Sequence, residues 1–152
     1  NGASLSHYYG NGGVVTFPDD LSITEIGNFA FSNFEYIDKT PEELEFDDAE
    51  SVKQWFIGNA TVTKVVIPEG VKTIGYLLED GECGSTFSNC TALKRVVFPA
   101  SLTNIYANSF YGCTSLEEIA FCGSESAWGN VMIGQGNDQL GTIKVTCNYN
   151  AQ

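Results

Sequence analysis

Basic residues are scarce in this sequence: 7 Lys and Arg stand against 19 Asp and Glu, a formal net charge of −12, and the cations nowhere cluster. Nucleic acids and anionic membranes would meet repulsion in place of counterion release, which argues against both as partners. A basic protein patch, a divalent cation or a neutral glycan stays compatible with such a surface, beside the plainer reading that acidity keeps a chain soluble. Histidine occurs once, as His7, and the five cysteines Cys83, Cys90, Cys113, Cys122 and Cys147 form no C-x-x-C. Zinc-ligand and thioredoxin-type spacings are thus missing, and an odd count leaves at least one thiol unpaired within the chain. No D-x-D-x-D-G loop accompanies the carboxylates of "PEELEFDDAE", which read as a solvated acidic insertion and not as a calcium site or an acid/base couple. No apolar run approaches the roughly 18 to 20 residues of a membrane-spanning helix. The opening "NGASLSHYYGNGG" has neither the basic nor the apolar region of a signal peptide, so the segment as given is expected to be soluble; an export signal already trimmed would leave no trace in it. No catalytic residue, cofactor or metal is expected.

What is present is globular composition and repetition. Apolar residues make up 43% and charged residues 17% of 152, enough for one domain with a real core. Leu93-x-x-Val96-x-Phe98-Pro99 aligns with Val62-x-x-Val65-x-Ile67-Pro68 and with Leu116-x-x-Ile119-x-Phe121, where Cys122 replaces the proline. Val15-x-Phe17-Pro18, Leu44-x-Phe46 and Ile143-x-Val145 extend the series to six candidate strands. Alternation with period two marks half-buried strands, and proline ends each because it has no N–H to give to a ladder.

A second phrase follows each strand: Leu102-x-x-Ile105 then Phe110-x-x-Cys113, and Val71-x-x-Ile74 then Phe87-x-x-Cys90. Ile26 then Phe31-x-x-Phe34 opens the first lap, and Phe56-x-x-Asn59 stands in the second. These phrases suit a 3₁₀ or single α turn. Ile105 to Phe110 takes five steps and Ile74 to Phe87 thirteen, which marks an insertion around "YLLEDGEC"; another lies around "DKTPEE". "DDAESVKQWF" reads as a short helix. Laps this short enclose no core alone and must stack, which predicts a mostly β solenoid with parallel strands and about five to six laps.

"CTALKRVVFPASLTNIYANSFYGC" resembles the unit of the BspA-like leucine-rich repeats, also called the Treponema pallidum type, and "IPEGVKTIG" and "EIGNFAFSNF" are similar to its second half. The family's glycine after Ile is present as Gly27 and Gly75 but is Tyr106 in the third instance, so a positive φ is not obligatory there. The resemblance divides the chain into an N-terminal cap over 1–13, repeats over 14–121 and a C-terminal capping lap over 122–152, in which "FCGSESAWGNVMIGQGNDQLGTIKVTCN" closes the stack. It implies a non-catalytic, secreted or surface-displayed bacterial protein that adheres to proteins of a host or neighbouring cell.

Between the core positions lie Thr16, Glu45, Val66, Val97, Ala120 and Lys144, facing outward by alternation. Val66, Val97 and Ala120 then form an apolar row, rimmed by Lys64, Arg95 and Glu118, which suits a protein partner; β-branched residues also simply favour strands. Leu78, Glu79 and Asp80 in the insertion are candidate contacts too, since loops on a rigid stack carry recognition. Two other readings stand beside this one: a glycan-binding or carbohydrate-active protein using Tyr8, Tyr9, Trp55 or Trp128, and a structural spacer. Cys90 and Cys113 read as small buried fillers of the stack, Cys122 with Cys147 as the candidate disulfide, and His7 as a surface residue.

Overall fold

The computed structural model describes residues 2–18, 20–31, 58–77 and 85–151. Its strands are β1 (Ala3–Leu5), β2 (Gly13–Val15), β3 (Ile23–Ile26), β4 (Val62–Val66), β5 (Thr73–Ile74), β6 (Arg95–Phe98), β7 (Asn104–Ile105), β8 (Glu118–Phe121), β9 (Met132–Ile133) and β10 (Val145–Thr146), with one short helix, α1 (Glu125–Gly129), before β9. Successive strands go to alternate sheets. The first ladder runs β1-β3-β5-β7-β9 and the second β10-β8-β6-β4-β2, and every pairing in both is parallel. Each lap therefore gives one rung to each ladder, and the described residues supply five rungs to each.

Two corners join the ladders, each built from one recurring phrase. At the first, the proline that ends a rung lends its carbonyl to a turn: Leu21 N donates to Pro18 O, Val71 N to Pro68 O and Leu102 N to Pro99 O. Proline has no N–H to carry the ladder further; where Cys122 takes its place, Cys122 N still donates to Phe98 O at 2.9 Å. At the second, Cys90 N donates to Phe87 O and Cys113 N to Phe110 O, closing the Phe-x-x-Cys turn on itself. Phe29, Ser85 and Asn108, each two residues before a stacked phenylalanine, hold positive φ. Gly75 is left-handed while Gly27 and Tyr106 are not, so no glycine conformation is required at that position.

Between the ladders lies the core. Val15, Val65, Val96 and Ile119 point inward from the second ladder in one register column. Ile26, Ile74 and Ile105 face them from the first. At the second corner the rings of Tyr8, Phe31, Phe87 and Phe110 stack in a column, with centroids 5.0, 4.5 and 5.0 Å apart. Each fully buried Leu, Ile or Phe contributes about 1.5 to 3 kcal/mol by leaving water, which is what offsets the ordering of such short strands.

The described rungs of both ladders are continuous past one long gap in sequence. Val15 pairs directly with Val65 and Ile26 with Ile74, and Phe31 stacks on Phe87. β2 and β4 are thus neighbours in this ladder; Leu44-x-Phe46 lies outside the described residues. Asn59 completes the lap that Phe31 opens: its N–H donates to Phe31 O at 2.8 Å, and its Oδ1 accepts from Thr61 N and Val62 N to start β4. "DDAESVKQWF" also lies outside the described residues. The last rung sits two residues later than alignment suggested, with Val145 beside Ile119 and Thr146, in place of Lys144, beside Ala120.

The last lap closes the stack with polar side chains. Asn137 is 2% exposed; its Oδ1 accepts from Phe110 N at 2.9 Å, and its Nδ2 donates to Gly134 O and Tyr106 O. Gln139 Nε2 donates to Phe110 O. Both backbone groups of Phe110 are satisfied although no further phenylalanine follows, as buried peptide groups require. Before this, Ser124 caps α1 by accepting from Ala127 N, and Trp128 on that helix packs 5.3 Å from Phe121 and 5.8 Å from Phe98.

Candidate partner-binding face

The outer face of the second ladder is set by the same alternation that builds the core. Lys64, Arg95 and Glu118 stand in one register row and Val66, Val97 and Ala120 in the next, with Thr146 following Ala120. The geometry brings these six candidates together in two parallel rows. Neighbouring rungs of a ladder are about 4.8 Å apart, so side chains within a row touch.

Their exposure is another matter. Val66 is half-buried, whereas Val97 is 1% and Ala120 2% exposed, although neither belongs to the core between the ladders. The chain itself covers them. After β10, Asn148 takes a left-handed φ of 54° and turns the backbone back across the ladder; Asn148 N then donates to Gly123 O at 2.8 Å and Tyr149 N to Phe121 O at 3.0 Å. The Tyr149 ring lies 5.0 Å under the Arg95 guanidinium, and Ala151 reaches the neighbourhood of Val66 and Cys122. Residues 147–151 form a strap over the middle of the apolar row, so the open stripe expected at Val97 and Ala120 is closed in this state.

Charge along the other row is largely matched within it. Arg95 Nη1 pairs with Glu118 Oε2 at 3.1 Å, an ion pair from one rung to the next. Exposed on one side, such a pair contributes about 0 to 1 kcal/mol and mainly fixes orientation. Arg95 Nε, beneath the strap, is buried without a hydrogen-bond partner.

Two depressions flank the strap. One, of about 140 Å³, is lined by Arg95, Glu117, Glu118, Lys144 and Tyr149 among others. The larger, about 580 Å³, opens at the proline corner beyond Ala151, between Phe17, Val66, Pro68 and Pro99. Leu78, Glu79 and Asp80 lie outside the described residues; next to them Tyr76 and Leu77 are exposed at 39% and 62%.

Of the aromatic residues considered for glycan stacking, Tyr8 is in the ring column and Trp128 is packed on Phe98 and Phe121; Tyr9 is exposed beside His7, and Trp55 lies outside the described residues. The four described cysteines are free thiols, so Cys122 and Cys147 are not bridged. Cys90 and Cys113 are buried fillers: their Sγ atoms donate to Phe31 O and Phe87 O. Burial pushes the Cys90 thiol up to about 12 and raises that of Cys113 further, which makes both inert. Among the described residues no cluster of His, Cys, Asp and Glu suits a metal ion, and no helix is long and apolar enough to cross a membrane.

Paired parallel ladders, proline-ended rungs and a column of corner aromatics define a leucine-rich-repeat solenoid. Within that class the chain belongs to the BspA-type family, whose description, "BspA type Leucine rich repeat region", is matched in 6 copies over residues 9–132. The family is made up of generally non-catalytic binding domains. The crystal structure of a T. pallidum leucine rich repeat protein is similar in fold, with a TM-score of 0.55 and 20% identity, covering 95% of this chain and 56% of that one. A leucine rich cell surface protein from Faecalibacterium prausnitzii A2-165 is 30% identical over 51% of this chain and 18% of its own, with a TM-score of 0.43. The chain therefore spans little more than half of the first and less than a fifth of the second. No curated protein matches it significantly.

Proposed function

We propose that this chain is a non-catalytic binding domain, displayed outside the cell, that holds a protein partner against the outer face of the second ladder and the adjoining insertions. The observation that carries the reading is the pair of adjacent rows, Lys64–Arg95–Glu118 and Val66–Val97–Ala120, of which the strap covers Val97 and Ala120 while Val66 borders a cavity of about 580 Å³. An apolar strip with charges of both signs beside it matches the make-up of protein interfaces, where the centre is apolar and the rim polar. Family membership supports display at a cell surface. Support for a glycan ligand is thinner, since two of its candidate aromatics are tied into the core.

The test uses the full chain immobilised and offered surface proteins of candidate neighbouring cells, in parallel with a glycan array. A captured protein should lose affinity at least about tenfold with Val66→Glu or Lys64→Glu and keep it with Met132→Lys, which alters the exposed end of the first ladder. Equal loss with all three, or capture of glycans alone, overturns the reading.

A further inference from the structure

We propose that the outer face of the second ladder is a seat for an extended peptide segment bearing an aromatic residue, and that residues 147–151 occupy this seat in cis. The inference rests on the protein-binding reading above and specifies its ligand. The strap shows what the face accepts. It lies across the rungs, gives main-chain hydrogen bonds to Phe121 O and Gly123 O, sets a ring against the Arg95 guanidinium and covers two small apolar residues. Extended backbone with a planar ring is a peptide chemistry, and a guanidinium over a ring face is attractive wherever water is partly excluded.

The strap also fits incompletely. Arg95 Nε stays buried and unpaired beneath it, a donor that a peptide carbonyl would satisfy. The cavity of about 580 Å³ beside Ala151 is walled by Val66, Pro68 and Pro99, and Val66 there is only half-buried. An incoming segment that sets an apolar side chain against this wall takes over the strap's contacts and adds these. Asn148, Asn150 and Ala151 are exposed, and the strap contributes no residue to the core between the ladders beyond Cys147 at its base. Its release thus leaves the solenoid whole and uncovers Val97 and Ala120. The apparent affinity of the seat for a peptide is lowered by the fraction of chains with the strap closed.

Two measurements on the full chain test this. The first follows fluorescence anisotropy of a labelled synthetic peptide of residues 146–151, with serine for Cys147, and of its counterpart with alanine for Tyr149. The Tyr149→Ala chain should bind the tyrosine peptide about tenfold tighter than the unaltered chain does, and adding Arg95→Gln should reverse the gain. The alanine peptide should bind no chain measurably. The second needs no variant: hydrogen exchange of the Asn148 and Tyr149 amides in the unaltered chain should quicken severalfold at about 1 mM peptide while the β6 amides hold. A Tyr149→Ala chain that melts normally yet binds no better, or strap amides indifferent to peptide, overturns the proposal. Peptide failure with protein capture intact removes this inference alone; peptide capture with no protein partner removes the broader reading alone.

Discussion

Truncating Phe98 to alanine removes a ring from the junction of three structures. Phe98 ends β6 with no exposed surface, meets Phe110 of the aromatic column edge-on at 5.8 Å and faces Trp128 of α1 at 5.8 Å. Its backbone cannot move in to fill the space, because Cys122 N donates to Phe98 O and the rungs on both sides fix β6 in register. The void should therefore persist, and such losses cost about 3 to 5 kcal/mol. For a chain of this size each kcal/mol lowers the melting temperature by about 2 to 4 °C, so the shift should be about 6 to 20 °C. Phe98→Leu, which fills most of the space but loses two aromatic contacts, should cost about 1 to 3 kcal/mol. Urea unfolding followed by circular dichroism measures both, with exposed Thr91→Ala as the control; Thr103 is less suitable because its hydroxyl donates to Lys72 O. A Phe98→Ala shift no larger than that of Thr91→Ala would refute the packing argument.

Asn137→Ala should cost about 2 to 4 kcal/mol in the same assay, since it strands the buried Phe110 N–H and loses the bonds to Tyr106 O and Gly134 O. Asn137→Asp keeps only the acceptor, and a variant as stable as the parent would show that these bonds carry nothing. The thiol of Cys90 predicts a pH dependence. Its folded value is raised from 9.0 to about 12, so above pH 9 the unfolded chain releases a proton that the folded chain keeps. Stability from this group is complete below 9 and falls as pH climbs toward 12, and Cys90→Ala should lose stability less steeply over that window than the parent. Parallel slopes for the two proteins would contradict it.

Much of the second ladder was legible in the sequence because its rungs are four or five residues long at β4, β6 and β8, long enough for alternation to show. Hence the register rows of Lys64, Arg95 and Glu118, and of Val66, Val97 and Ala120, were readable from spacing alone. The first ladder was not. Its rungs β5, β7 and β9 are two residues each, too short to alternate, and its signal was the bare recurrence of Ile26, Ile74 and Ile105. Leu44-x-Phe46, which follows the rung template, lies outside the described residues, and Asn59, in the Cys90 position, bonds back to Phe31 O. The closed stripe escaped for a different reason. Alternation tells which way Val97 and Ala120 point but not what lies over them, and Tyr149 belongs to no repeat.

The corner between Phe31 and Asn59 has a consequence for how such molecules diversify. Phe31 and Phe87 stack at 4.5 Å, and Asn59 bonds back to Phe31 O, as though the intervening chain were not there. Lengthening the link between two fixed ends costs only about 0.6 kcal/mol for each doubling, so a corner whose two sides bond to each other directly suits the grafting of other segments. A library built by replacing residues 32–57, screened first for the parent's melting temperature and only then for new ligands, would turn that tolerance into a means of engineering recognition onto an unchanged frame.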